Sequence, residues 1–205
     1  MRRSLRWAQW LLFAGAAAML AYCGLVLMDT WMFQHRKSGQ LERSLHDRLQ
    51  ASHGAESPSL AKNPLPAAID GLVGRIEIPR LGLSAIVMEG TDRTTLRRAV
   101  GHIAGMALPG QPGNVGIAGH RDTFFRPLHD IRQNDIITLK TLGGEYRYRV
   151  VSTKIVGPYD VSVLASSQNE VLTLVTCYPF YFVGPAPDRF VVRAERVKKI
   201  REVSF

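Results

Sequence analysis

EVLTLVTCYPFYFVGPAPDRFVVRA, residues 170–194, carries two strands and the loop between them in its composition alone. Val171 to Thr176 is an apolar, β-branched run that reads as a buried strand, and it ends directly on Cys177. Tyr178 to Asp188 holds three prolines and a glycine and so cannot continue that strand. Arg189 then opens a second alternating run through Ala194. If the two strands pair, their ends hold a thiol and a guanidinium side by side.

Upstream, GNVGIAGHRDTFF offers a third polar group. Asn114 to Ala118 reads as a short strand, and His120 follows it after Gly119. A cysteine, a histidine and an arginine at strand termini can act as nucleophile, proton-transfer partner and oxyanion clamp. A thiol attacks as its thiolate, the form that neighbouring cations favour.

The flanking chain has the punctuation of an all-β domain. Gly74 to Pro79 alternates apolar and polar residues, and Leu83 to Met88 makes a second strand after a Leu-Gly turn. Thr94 to Val100 suits one or two helical turns, and Thr123 to Ile131 a short helical connection interrupted by Pro127. Ile136–Lys140 and Glu145–Val156 flank Leu-Gly-Gly and read as a hairpin, with Tyr146, Tyr148 and Val150 on one face and Glu145, Arg147 and Arg149 on the other. Asp160 to Leu164 is a turn or short helical piece. Seven or eight short strands in about 130 residues indicate a closed or nearly closed barrel.

The N-terminal part is of another kind. Trp7 to Met28 is 22 residues without a formal charge, long enough as a helix to cross a hydrocarbon core of roughly 30 Å. Arg2, Arg3 and Arg6 precede it and Asp29 follows, which predicts a cytoplasmic N-terminus and an extracytoplasmic barrel. A cleavable signal peptide is the rival reading, but the apolar run exceeds a signal core and no small-x-small site follows. Leucines at 41, 45 and 49 suggest a short amphipathic helix, and Ser52 to Pro66 reads as a flexible tether. The net charge of +9 suits an anionic envelope surface, with no basic stripe of the kind nucleic acid requires; only Lys198, Lys199 and Arg201 cluster. Cys23 lies in the apolar run and so cannot pair with Cys177, which stands as a lone thiol. No CxxC, HExxH or Cys/His cluster argues for a metal.

Taken together, TLVTC (173–177), an arginine twelve residues after the cysteine, and IAGHRD around His120 resemble the signature of the sortases, cysteine transpeptidases anchored in membranes. The resemblance covers residues 71–197, and PGNVGIAGHRDT (112–123) looks most like the class D members. It implies a mainly β fold: a single eight-stranded sortase-type β-barrel with short helices behind one N-terminal transmembrane helix. The expected organisation is a cytoplasmic stretch 1–6, an anchor 7–28, a juxtamembrane segment and linker 29–70, the catalytic domain 71–197 and a basic tail 198–205. It further implies that Cys177 attacks a sorting-signal peptide bond, that His120 transfers protons, and that Arg189 holds the oxyanion. Surface proteins with an LPxTG-like signal and an amine acceptor are the implied partners, with no cofactor.

Some assignments stay open at this level. Thr176, Tyr178, Phe180 and His102 are candidates to contact substrate. The aromatic cluster Tyr178, Phe180, Tyr181 and Phe182 suits either a peptide groove or packing over the barrel end, and His102 either a structural or a substrate-lining place. Arg193 competes with Arg189 on the same face. One of Asp160, Glu170 and Asp188 is a candidate to orient His120. A cysteine endopeptidase with water as acceptor, and a non-catalytic envelope-binding barrel, are the competing functions.

Overall fold

A computed structural model describes residues 2–53 and 71–197. A helix, α1 (Arg2–His53), precedes a sequence of short elements: β1 (Leu72–Ile78), β2 (Leu83–Glu89), α2 (Arg93–Arg98), β3 (Val100–His102), β4 (Gly113–Ala118), β5 (Ile136–Thr141), β6 (Gly144–Val156), β7 (Glu170–Tyr178) and β8 (Asp188–Arg196). Single 3-10 turns at Pro79–Leu81, Arg126–Asp130 and Val161–Leu164 link them. The eight strands close into a barrel in the order β1-β2-β3-β4-β7-β8-β6-β5.

Alternation along the strands fills the barrel. Leu172 and Leu174 of β7 face Ala194 and Val192 of β8 across the ladder, and all four join the core with Ile76, Ile117, Leu139 and Tyr148. Tyr148 and Val150 of β6 are buried while Glu145, Arg147 and Arg149 are exposed, the two-faced pattern expected of the hairpin. Burial pushes the Tyr148 phenol well above its ordinary pKa, since ionising it there would strand a charge in apolar surroundings. Six of the eight ladders are antiparallel; β2–β3 and β4–β7 are parallel. The β2–β3 crossover is α2, whose first turn is capped by the Asp92 carboxylate accepting from Thr94 N and Thr95 N. Those bonds and the Thr95 hydroxyl hold the Asp92 carboxyl below its usual pKa.

In place of an anchor and a separate short amphipathic helix, α1 runs unbroken from the apolar segment onto the barrel. Residues 54–66 of the expected tether, and the basic tail 198–205, lie outside the described residues. At the end of the apolar run, Asp29 pairs with Arg98 of α2 at 2.9 and 3.2 Å. One turn on, Gln34 donates to Arg98 O and accepts from Ile86 N, satisfying a backbone group on β2 beyond the short β3. Leu41 is 2% exposed and packs with Leu72, Ile86 and Leu142, while Leu45 covers their edge. Ile86 sits outside the main core cluster yet is fully buried, because α1 lies over it. Glu42 pairs with Arg75 of β1 at 3.1 Å. Positions 34, 41 and 45 share one helical face, so the leucine spacing legible in the sequence is the docking stripe.

Candidate active site

The candidate residues stand on three neighbouring strands. Antiparallel pairing of β7 and β8 sets Cys177 directly opposite Arg189. Parallel pairing of β4 and β7 ends at Ala118 opposite Val175, followed by Gly119 N donating to Val175 O, so His120 leaves the sheet two residues on, level with Cys177. Adjacent strands lie about 4.8 Å apart, which places the Arg189 backbone about one strand spacing from Cys177 on one side, while His120 follows the end of β4 on the other. Leu172, Leu174 and Thr176 point inward, so by alternation Cys177 and its partner Arg189 lie on the outer face. Both are half-buried, as is His120.

Packing fixes the approach of His120. Thr176 is 2% exposed, and its hydroxyl donates to Gly119 O at 2.8 Å, tying β7 to the residue before His120. Gly119 has no room for a side chain, since a Cβ would lie 2.7 Å from the ring of buried Phe125. Thr176, expected as a substrate contact, is thus placed as a buttress beneath the site. Among the described residues the His120 imidazole makes no hydrogen bond or ion pair.

The β7–β8 loop is built over this rim. The chain leaves β7 through a cis Tyr178–Pro179 bond. Tyr178, Phe180 and Phe190 pack together with ring centroids 5.3–6.4 Å apart, and Phe180 reaches the core. Tyr181, Phe182 and Val183 are exposed. The aromatic cluster therefore divides, with Tyr178 and Phe180 packed on the barrel and Tyr181 and Phe182 toward solvent. Arg121 bonds the loop to the His120 segment by donating to Pro179 O at 2.9 Å, Phe182 O at 2.8 Å and Gly184 O at 2.9 Å. Its guanidinium also lies 5.7 Å from the Phe182 ring centroid. The Arg189 guanidinium donates to Ala186 O and Asp188 O at the loop's far end.

Other candidates lie apart from the thiol. His102 is 2% exposed, with Nδ1 2.8 Å from the Glu89 carboxylate and Nε2 3.0 Å from Ala107 O. Both ring nitrogens are engaged inside the fold, which is the structural place rather than the substrate-lining one. Arg193 pairs with Thr173, four residues down β7 from Cys177, and with Thr173, Val191, Ser152, Lys154, Ser162 and Val163 it lines a groove on the same outer face. Asp160 caps the 3-10 turn at Ser162, and Glu170 pairs with Arg196 at 3.2 Å. Among the described residues neither of these, nor Asp188, is bonded to His120. Asp122 instead lines a cleft with His120, alongside Arg93, Thr94, Arg97 and Thr123. That cleft and the Arg121 bonds were missed in the sequence, although GHRD prints both Arg121 and Asp122 beside the histidine. Among the described residues no group of three or more His, Cys, Asp or Glu is placed to hold a metal ion.

A closed eight-stranded barrel with a half-buried thiol at the end of an outward row has the layout of a cysteine-nucleophile site at its rim, and the family it matches is one of cysteine transpeptidases acting on peptide bonds. Comparison with known proteins agrees: the Sortase domain family matches residues 76–197, so the chain belongs to the sortase family. It is 32% identical over 190 residues to Sortase D of Bacillus subtilis (strain 168), covering 90% of this chain and 94% of that one. Sortase A from Corynebacterium diphtheriae is 33% identical with a TM-score of 0.59, covering 64% of this chain and 63% of that one. A Clostridium perfringens Sortase D5 transpeptidase, 22% identical, superposes with a TM-score of 0.63 over 81% of this chain and 99% of that one, a likeness of fold.

Proposed function

We propose that this sortase is held in the membrane by α1, N-terminus inside, and joins surface proteins through a thioacyl-enzyme on Cys177. A sorting-signal peptide lies in the outer-face groove lined by Thr173, Val191 and Val163, with its scissile carbonyl at the rim. The Cys177 sulfur attacks that carbonyl while Arg189 faces the developing oxyanion. His120 gives a proton to the departing amine and later takes one from the acceptor. The thioester then passes to an amine, or to water in hydrolysis. What supports this reading is the row in which Arg189 stands opposite Cys177 and His120 rises level with it from the next strand.

The test uses the full chain in detergent with an LPxTG-like peptide, with and without a primary amine, read by mass spectrometry. A peptide–amine product that disappears in Cys177→Ala supports the reading. Cleavage without ligation at any amine concentration would replace it with a cysteine endopeptidase, and full activity in Cys177→Ala defeats it.

A further inference from the structure

The acyl donor has a groove along β7; the acceptor has no place assigned. His120 itself lines a separate cleft of about 320 Å³, together with Arg93, Thr94 and Arg97 of α2 and with Asp122 and Thr123. Arg93 and Arg97 stand four residues apart on one helical face, a like-charged spacing that weakens a helix. Among the described residues neither has an ion pair or hydrogen bond, whereas the next arginine, Arg98, is paired with Asp29. Asp122 is exposed and likewise without a recorded partner. Two planar cations, two hydroxyls and one carboxylate thus share a cleft with the group expected to deprotonate an amine.

This arrangement has the complementarity of a zwitterion. A carboxylate or phosphate is met by the forks of Arg93 and Arg97, and a nearby nitrogen by Asp122 and His120. A plain alkylamine would leave both guanidiniums unanswered. Resting on the proposed function, the geometry points to this cleft as the acceptor subsite, taking an amine that carries an anionic group one or two carbons from its nitrogen.

The transfer balances. The amine lone pair attacks the thioester carbon, and the carbon–sulfur bond breaks with its electron pair left on Cys177 Sγ. The proton shed by nitrogen passes to the His120 imidazole.

The experiment compares acceptors on full-length protein acylated by an LPxTG-like peptide, with rates expressed per unprotonated amine. Alanine is set against alaninamide, and O-phosphoethanolamine against ethanolamine, in wild type and in Arg93→Gln/Arg97→Gln. Taking each ratio across the two proteins cancels the intrinsic reactivity of the amines. A tenfold or greater fall in the anionic-to-neutral ratio is expected, and the pair showing the larger fall tells a carboxylate from a phosphate such as a lipid headgroup. Unchanged ratios overturn the inference. Release of the peptide leaving group reports acylation separately, so its absence counts against the proposed function instead. In that case a Cys23→Ala background allows Cys177 to be labelled with sulfonatoethyl and with neutral methyl methanethiosulfonate. A threefold fall of the anionic-to-neutral rate ratio in the double variant upholds the cleft's anion preference, and an equal ratio overturns it.

Discussion

Replacing Arg121 should disable the site without touching the thiol. Among the described residues its guanidinium is the only side-chain donor to the Pro179, Phe182 and Gly184 carbonyls, and it follows His120 directly in the chain. The bond to Pro179 is part-buried and contributes about 1.5 kcal/mol, while the two exposed bonds contribute about 0.5 kcal/mol each. Arg121→Ala therefore loosens the β7–β8 loop by about 2.5 kcal/mol, and if acylation requires the ordered loop, kcat/KM falls about 70-fold. Arg121→Lys keeps at most one of the three bonds, because an ammonium cannot span the fork, and should lose about tenfold. Two assays read the two links separately. Limited proteolysis near exposed Tyr181 and Val183 reports loop opening, and peptide cleavage reports the chemistry. If Arg121→Ala cleaves faster in the loop yet keeps kcat/KM within threefold of wild type, loop order is irrelevant to catalysis; if neither quantity moves, the three bonds hold nothing.

Other perturbations separate positioning from packing. Gly119→Ala puts a methyl 2.7 Å from the Phe125 ring; overpacking of this kind costs about 1–3 kcal/mol, so a lower Tm and a more than tenfold fall in kcat are expected, and wild-type values for both would refute the buttressing of His120. Leu41→Ala should cost about 2–3 kcal/mol, read as faster hydrogen exchange at the Ile86 amide, whereas Leu20→Ala, exposed in the apolar run, leaves that amide unchanged; equal exchange in both variants would refute docking through Leu41. The Arg80 guanidinium, 2.5 Å from Asp135, holds that carboxyl below its ordinary value of 3.8. A folded pKa below the unfolded one stabilises the protein above about pH 4 and is lost as pH falls through the depressed value. Asp135→Asn should thus lower Tm at pH 7, and its deficit should shrink toward pH 2; a deficit independent of pH refutes the assignment.

The barrel was legible where one residue in two is apolar. The β5–β6 hairpin and the β7–β8 pair follow from alternation and turn chemistry, and so does the facing of Cys177 and Arg189. β3 was invisible because three residues, Val100–His102, carry no period. The continuity of α1 was not legible because the chain turns polar after the apolar run 7–28; a docked helix needs only one apolar stripe, and Gln34 is itself a docking residue. His102 illustrates the remaining gap: its place in sequence, eighteen residues before His120, cannot tell an imidazole facing a substrate from one held by Glu89 and Ala107.

The choice of rim follows from strand direction. In a fully antiparallel barrel, neighbouring strands end at opposite rims, so a residue following one strand and a residue ending the next lie far apart. Here β4 and β7 run parallel, and both carboxyl-terminal ends reach the same rim, where β8 begins. One irregular ladder therefore brings together a residue from after β4, the last turn of β7 and the first of β8, drawn from positions 120, 177 and 189. The second parallel pair requires a return crossover between β2 and β3, and that crossover is α2, whose Arg93 and Arg97 line a cleft with His120. A slip of one residue in β7–β8 would turn Arg189 into the barrel and leave Cys177 facing Asp188 or Phe190. The Val192 and Ala194 contacts with Leu174 and Leu172 oppose that slip, so the hydrophobic alternation of these strands sets the chemistry at their ends.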